Sequence, residues 1–289
     1  MSTVMTVPAA TGAQKRSFVS RVLAQRSAVI GLAIVLLFVV LAVFAPWIAP
    51  YDPVASDWLN VRKAPSAMHW MGTDDLGRDV LSRVVYGAQA SLLAGLIAVS
   101  IAILAGLPLG LIAGYFGGWL DSVISRCTDA LLACPFLVLA IALAAFLGAS
   151  LQNAMIAIGI SAMPIFIRLV RGQVLSIKNE DFVTAARGQG MRDGSIIISH
   201  ILPNVVTPVV VQATITMAVA ILAEASLAFL GLGQRPPAAS WGSMLDVARQ
   251  FMIDAPWMSI WPGLAIVVIV LGFNLLGDGL NDALNQSRD

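Results

Sequence analysis

The chain has 289 residues, 58% of them hydrophobic, against roughly 45–50% in ordinary soluble domains. Its 17 Lys and Arg nearly balance 16 Asp and Glu, for a formal charge of +1. These values exclude a soluble domain and offer no basic surface, so no nucleic-acid partner is expected. Residues 28–51, 84–120, 130–167, 194–223 and 255–277 contain no charged side chain. Each run is long enough to cross a bilayer, which takes roughly 20 apolar residues.

The polar, Ala/Ser/Thr-rich segment 1–27 reads as a partly disordered tail. The first span, 28–48, has an apolar run longer than the roughly 7–15 residues of a signal sequence, so it is expected to be a retained anchor. In segment 51–83, Asp74, Asp75, Arg78, Asp79 and Arg83 form a mixed-charge cluster ahead of the second span. Capping that helix and holding the loop is favoured over contact with a solute. The second span, 88–113, is interrupted by Gly114-Tyr115-Phe116-Gly117-Gly118.

Run 130–167 as one helix would reach about 57 Å, far beyond a hydrocarbon core of roughly 30 Å. It must turn back, and Gly148-Ala149-Ser150-Leu151-Gln152-Asn153 divides it into spans 130–147 and 154–171. On one helix Cys127 and Cys134 would lie about 10.5 Å apart, outside disulfide reach, so both are expected to be packing residues. Pro108, Pro135 and Pro164 break helical hydrogen bonds and mark either bends around a path or ordinary packing kinks.

Segment 172–203 is polar, and its punctuation predicts two short helices. Asn179 is a candidate N-cap, with Glu180 and Asp181 in the dipole-favoured first turn. Phe182, Ala185, Ala186 and Gln189 are expected to share a face. Gly188 and Gly190 end that helix, and Asp193 can cap a second, apolar one that runs to Pro203. Periodicity alone does not separate this paired-helix knuckle from a plain connector. The fifth span, 205–230, holds Glu224, the one carboxylate inside a span by this reading. A gate or path role and an internal hydrogen-bonding role are both open to it. The sixth span, 257–277, leaves a tail at 278–289.

Six spans put both termini on one side. With them in the cytoplasm, 11 Lys and Arg fall inside and six outside, as the positive-inside rule prefers. Trp47, Trp257 and Trp261 then lie near the outer interface, where amphipathic rings collect. The predicted fold is all-α and polytopic, with membrane lipid around a permease domain at 28–277 and segment 172–203 facing the cytoplasm.

Thr184-Ala185-Ala186-Arg187-Gly188-Gln189-Gly190, followed after nine residues by His200-Ile201-Leu202-Pro203, resembles the E-A-A loop of ATP-binding-cassette (ABC) importer permeases. Thr184 stands where the family has Glu, and His200 where it has Ile. The run Gly72-Thr73-Asp74-Asp75-Leu76-Gly77-Arg78-Asp79-Val80-Leu81-Ser82-Arg83 looks like the signature of the C-type subunit of dipeptide/oligopeptide/nickel permeases. Glu224-Ala225-Ser226-Leu227 and Gly277-Asp278-Gly279-Leu280 extend the likeness, which covers about residues 25–285.

This resemblance implies an importer permease in the bacterial cytoplasmic membrane, for peptides or similarly sized solutes. Its expected partners are a homologous B-type permease, two cytoplasmic ABC ATPases and an extracytoplasmic substrate-binding protein. It implies alternating access, driven by a coupling helix that carries Glu180, Asp181, Phe182, Thr184, Ala185, Ala186 and Gly190, with His200, Leu202 and Pro203 closing the motif. No lysine sits in a G-x-x-x-x-G-K-[ST] phosphate loop, so ATP and Mg are expected on the ATPases and no cofactor on this chain. A membrane enzyme or an ion-coupled secondary transporter is the alternative. No nucleophile motif supports the first, and Glu224 alone is thin support for the second.

Overall fold

The computed structural model describes residues 22–285, and these form helices, turns and loops without a strand. The basic residues Lys15, Arg16, Arg21 and Arg288, and the predicted tail up to residue 21, lie outside the described residues. Helix α1 is Arg26–Val43, followed by a short α2, Ala45–Ile48. Helix α3, Val80–Phe116, has 37 residues and so runs about 55 Å, longer than a hydrocarbon core of roughly 30 Å. Gly117, at φ +68°, stops it.

Helices α4, Gly118–Leu132, and α5, Phe136–Leu147, meet at 90°. Helix α6 is Leu151–Ile177, with the Ser150 hydroxyl accepting from the Asn153 N–H at 3.1 Å as its N-cap. Two short helices follow, α7, Asp181–Gly188, and α8, Asp193–Ile196. A widened π-type turn, Ile197–Ile201, leads from α8 into α9, Leu202–Phe229. Helix α10, Trp241–Ala248, precedes α11, Trp257–Asn285.

Among the described residues, five helices are long and apolar enough to span, and the α4–α5 pair supplies a sixth only as a broken span. The third predicted span, 130–147, is therefore not one straight helix. Pro135 lacks an N–H, and the chain turns at 133–135, leaving α5 with 12 residues. The packing role expected of Cys127 and Cys134 also fails. Cys127 sits on α4 and Cys134 in the bend, and both are free and exposed. The last helix continues past 277 to Asn285.

Lipid is as apolar as a leucine side chain, so helix association here depends on close packing more than on escape from water. The α3–α6 contact shows how. Gly106, Gly110 and Gly114 stand opposite Phe166, Val170 and Val174, and a β-carbon on Gly110 would come within 2.6 Å of Val170 Cβ. The main core lies between α3, α5, α6 and α9 and takes in Val183 and Ala186 of α7. A second core, between α1, α3, α9, α10 and α11, surrounds the fully buried Trp241. Its indole N–H donates to Val84 O at 2.9 Å, and Phe38 meets it edge-on at 5.5 Å.

Candidate functional site

At the C-terminal ends of α3 and α6, Lys178 Nζ donates to Gly114 O at 2.9 Å, tying the point where the loop leaves α6. Glu180, not Asn179, is the N-cap residue of α7, and its side chain makes no capping bond. Asp181 occupies the first turn, beside the positive end of the helix dipole. The predicted common face divides. Val183 and Ala186 are buried in the main core, while Phe182, Thr184, Ala185 and Gln189 are exposed. Phe182, Ala185 and Gln189 follow the i, i+3, i+7 spacing of one outward face; Ala186 points into its own chain.

The end of α7 is a Schellman turn. Met191 N–H donates to Ala186 O at 3.2 Å and Gly190 N–H to Arg187 O at 3.0 Å, with Gly190 at φ +75°. Nothing lies within 4 Å of a β-carbon added at Gly190, so the demand for glycine there is one of backbone angle and not of space.

Helix α8 has Arg192 as its N-cap residue, correcting the expectation for Asp193. The Asp193 carboxylate instead accepts from the Tyr115 hydroxyl at 2.5 Å. Arg187 lies 5.7 Å from the Tyr115 ring centroid, and its Nη2 donates to the same hydroxyl at 3.5 Å. That hydrogen bond raises the Arg187 pKa, so the guanidinium stays charged. Tyr115, at the tip of α3, thus touches both knuckle helices, a role sequence reading missed. The only signal was an aromatic residue just before a Gly-Gly helix stop. His200 stacks on Phe182 with centroids 6.4 Å apart. Leu202 and Pro203 open α9, and Ile196 and Ile201 are fully buried beneath the loop. Beside the loop, Asp121 of α4 accepts from Arg171 Nε at 2.5 Å and Nη2 at 2.7 Å, and Arg168 pairs with Asp129 at 2.8 Å.

The mixed-charge cluster ahead of α3 gathers together, with Asp74, Arg78, Asp79 and Arg83 buried and Asp75 half-buried. Asp74 Oδ2 lies 2.6 Å from Arg78 Nε and 3.3 Å from Arg83 Nε, and its Oδ1 accepts the N–H groups of Leu76 and Arg78 at 2.9 Å. Asp75 adds a contact to Arg78 Nη2 at 3.2 Å. Asp79 is the N-cap of α3, accepting from Ser82 N–H at 2.8 Å, and its other oxygen lies 3.0 Å from His69 Nδ1. Arg83 Nη1 donates to Pro53 O at 2.8 Å and Pro237 O at 3.3 Å, joining two loops far apart in sequence. In the same outer segment, hydrogen bonds from the Asn60 side chain and the Leu59 N–H hold the Asp57 carboxyl below the usual carboxylate range.

Glu224 is fully buried in α9. Ser91 Oγ of α3 donates to its Oε2 at 3.2 Å and accepts from the Trp241 N–H at 3.4 Å. The carboxyl is enclosed by α3, α9 and α10 and meets no solvent within this chain.

Residues 106–289 match the family described as binding-protein-dependent transport system inner membrane component. Residues 14–65 match the N-terminal TM domain of oligopeptide transport permease C. The dipeptide transport system permease protein DppC of Alkalihalophilus pseudofirmus is 51% identical over 258 residues, which is 89% of this chain and 85% of the relative. The glutathione transport system permease protein GsiD of Shigella dysenteriae is 48% identical over 262 residues, covering 90% and 86%. A chain in inward-facing structures of the MetNI methionine ABC transporter has a similar fold. Its TM-score is 0.57 at 21% identity, over 70% of this chain and 96% of that one.

Proposed function

The chain belongs to the binding-protein-dependent transport system inner membrane components, as a C-type permease of the peptide ABC importers, and from that premise we propose that segment 172–203 is its contact with a cytoplasmic ATPase. The carrying observation is α7: Val183 and Ala186 anchor one face in the main core while Phe182, Ala185 and Gln189 face outward. A helix built in this way moves with the bundle when its free face is pushed. Tyr115 and Lys178 fasten the loop to the ends of α3 and α6, which supports the same reading.

ATP and Mg then belong to two partner ATPases, a B-type permease supplies the other half of the path, and an outer binding protein delivers the solute. Short peptides are the proposed cargo, since the relatives are named for dipeptide and glutathione. Asp74, Asp75, Arg78, Asp79 and Arg83 clamp the outer loops, and Glu224 pins α9 to α3 and α10.

Phe182→Ala and Gly190→Val should each lower ATP-driven uptake of a labelled dipeptide in proteoliposomes about tenfold, with the chain still inserted and folded. Phe182→Ala removes outward contact area; Gly190→Val meets the left-handed backbone angle that β-branched residues avoid. Co-purification of the ATPases should fall in parallel. Full uptake and full ATPase retention in both variants would reduce the loop to a connector. Ala186→Glu is a poorer probe, because a carboxylate there enters the chain's own core.

The charge count supports cytoplasmic termini, with 172–203 inside and 51–83 and 234–254 outside. Ser66 and Ser176 are both exposed, and a cysteine at either can report its side once Cys127 and Cys134 are changed to Ser. An impermeant thiol reagent on intact spheroplasts should label position 66 and spare position 176. The opposite pattern would invert the topology.

A further inference from the structure

The inner halves of α6, α9 and α11 enclose a side-opening groove of about 500 Å³ immediately above the coupling loop, with Pro203 belonging to both. Gln173, Asn204, Thr207, Gln212 and Asn281 line it, and no charged residue does. Its volume falls in the roughly 300–1,000 Å³ range of small-molecule sites.

Asn204, Thr207, Pro208, Val211, Gln212 and Ile215 occupy one face of α9. At 100° per residue that face continues outward to Leu222, Ser226 and Phe229, which line a second, apolar groove against α10 and α11. One face of α9 is therefore lined by grooves at both ends, polar in one and apolar in the other, with Val211 buried and Thr207, Pro208 and Gln212 half-buried between its neighbours. Val206 and Val210, exposed on the opposite flank, are apolar.

The polar groups are only partly satisfied. Gln212 Nε2 donates to Thr216 Oγ1 at 3.2 Å and Asn204 Nδ2 to His200 O at 2.7 Å, leaving both amide oxygens free to accept. Pro208 has no N–H, so the Asn204 carbonyl loses its normal helical donor and gives the groove a backbone acceptor. Hydrocarbon cannot satisfy such groups, and polar side chains in membrane helices face protein interior or water.

Resting on the permease reading above, the geometry points to this groove as the inner solute-contact site of the path, taking amide-bearing, peptide-like molecules by hydrogen bonds and not by charge. Side-chain amides and a free carbonyl complement a peptide backbone, which carries a donor and an acceptor at each residue whatever its side chains. The absence of charged lining residues makes the site indifferent to the solute's net charge. A partner helix packed into the groove is the competing occupant.

The test uses the assembled importer with Cys127 and Cys134 replaced by Ser and single cysteines at Thr207, Gln212, Val206 or Val210. A charged methanethiosulfonate is applied to the inner face of membrane vesicles without nucleotide. Positions 207 and 212 should react at least tenfold faster than 206 and 210, and modification at 212 should block uptake of radiolabelled triglycine. Equal rates at the four positions, slower reaction at 207 and 212, or unchanged uptake after modification would overturn the proposal. Triglycine uptake and ATPase retention in the parent are measured first. Their loss strikes at the proposed function, while the labelling rates still decide whether this face is open to water.

Discussion

Asp74→Ala should destabilise the end of the bundle at the start of α3 by about 3–5 kcal/mol, the usual cost of removing one partner from a buried ion pair. Arg78 and Arg83 are each 4% exposed, and Asp74 is the carboxylate they share. Its loss leaves two guanidinium groups facing each other, with Asp75 still on Arg78 and carbonyl oxygens still on Arg83. Two backbone N–H groups, of Leu76 and Arg78, lose their acceptor as well. At about 2–4 °C per kcal/mol, the melting point of the purified chain in detergent should drop by about 10 °C. Asp75→Ala removes a more exposed and weaker contact and should cost less than about 1 kcal/mol. Equal melting points for parent and Asp74→Ala would show that the cluster does not hold the fold.

Gly110→Leu should be harsher for assembly of the chain, with less than a tenth of the parent's folded yield. Overfilling a packed core costs about 1–3 kcal/mol where side chains can turn away. Here they cannot. The nearest atom is Val170 Cβ at 2.6 Å, which no rotamer moves, followed by Val170 Cγ1 at 2.8 Å and the backbone Ile167 O at 2.9 Å. Relief requires α3 and α6 to separate, which also opens the contacts at Gly106 and Gly114, one turn away on either side. Gly172→Ala, with nothing within 4 Å, is the control and should leave yield unchanged. Size-exclusion profiles of tagged chains in detergent measure both. A normal monodisperse peak for Gly110→Leu would mean that the helices tolerate a wider spacing.

Apolar runs made the spans readable because hydrocarbon demands long stretches without charge. Segment 130–147 read as one straight helix because hydropathy counts residues without asking whether they form one helix; it reaches span length only together with α4, as a bent pair. Nothing apolar changes at Pro135, yet a missing N–H there turns the chain through 90°. The outer motif showed which side chains gather; it did not show that Arg83 reaches Pro237, because a contact 154 residues away has no periodic trace. The same gap hid Tyr115 from Asp193 and left the role of Glu224 open, since its partner Ser91 lies 133 residues earlier. In the knuckle, spacing found the helix and its glycine stop. Assigning Ala186 to the outer face failed because Val183, apolar and one turn earlier, pulls that side of α7 into the core.

The right angle between α4 and α5 has a consequence for the surrounding lipid. Twelve residues of α5 rise about 18 Å, well short of a hydrocarbon layer of roughly 30 Å. Asp121–Arg171 and Asp129–Arg168 tie α4 to α6 and oppose its swinging into line with α5 to make up the difference. Trp119, 73% exposed, stands at the start of α4 as an anchor at headgroup level. A bilayer that meets α5 must thin locally unless α4 supplies the missing length. Hydrophobic mismatch costs fractions of a kcal/mol per Å, so acyl-chain length becomes a thermodynamic variable acting on the bend.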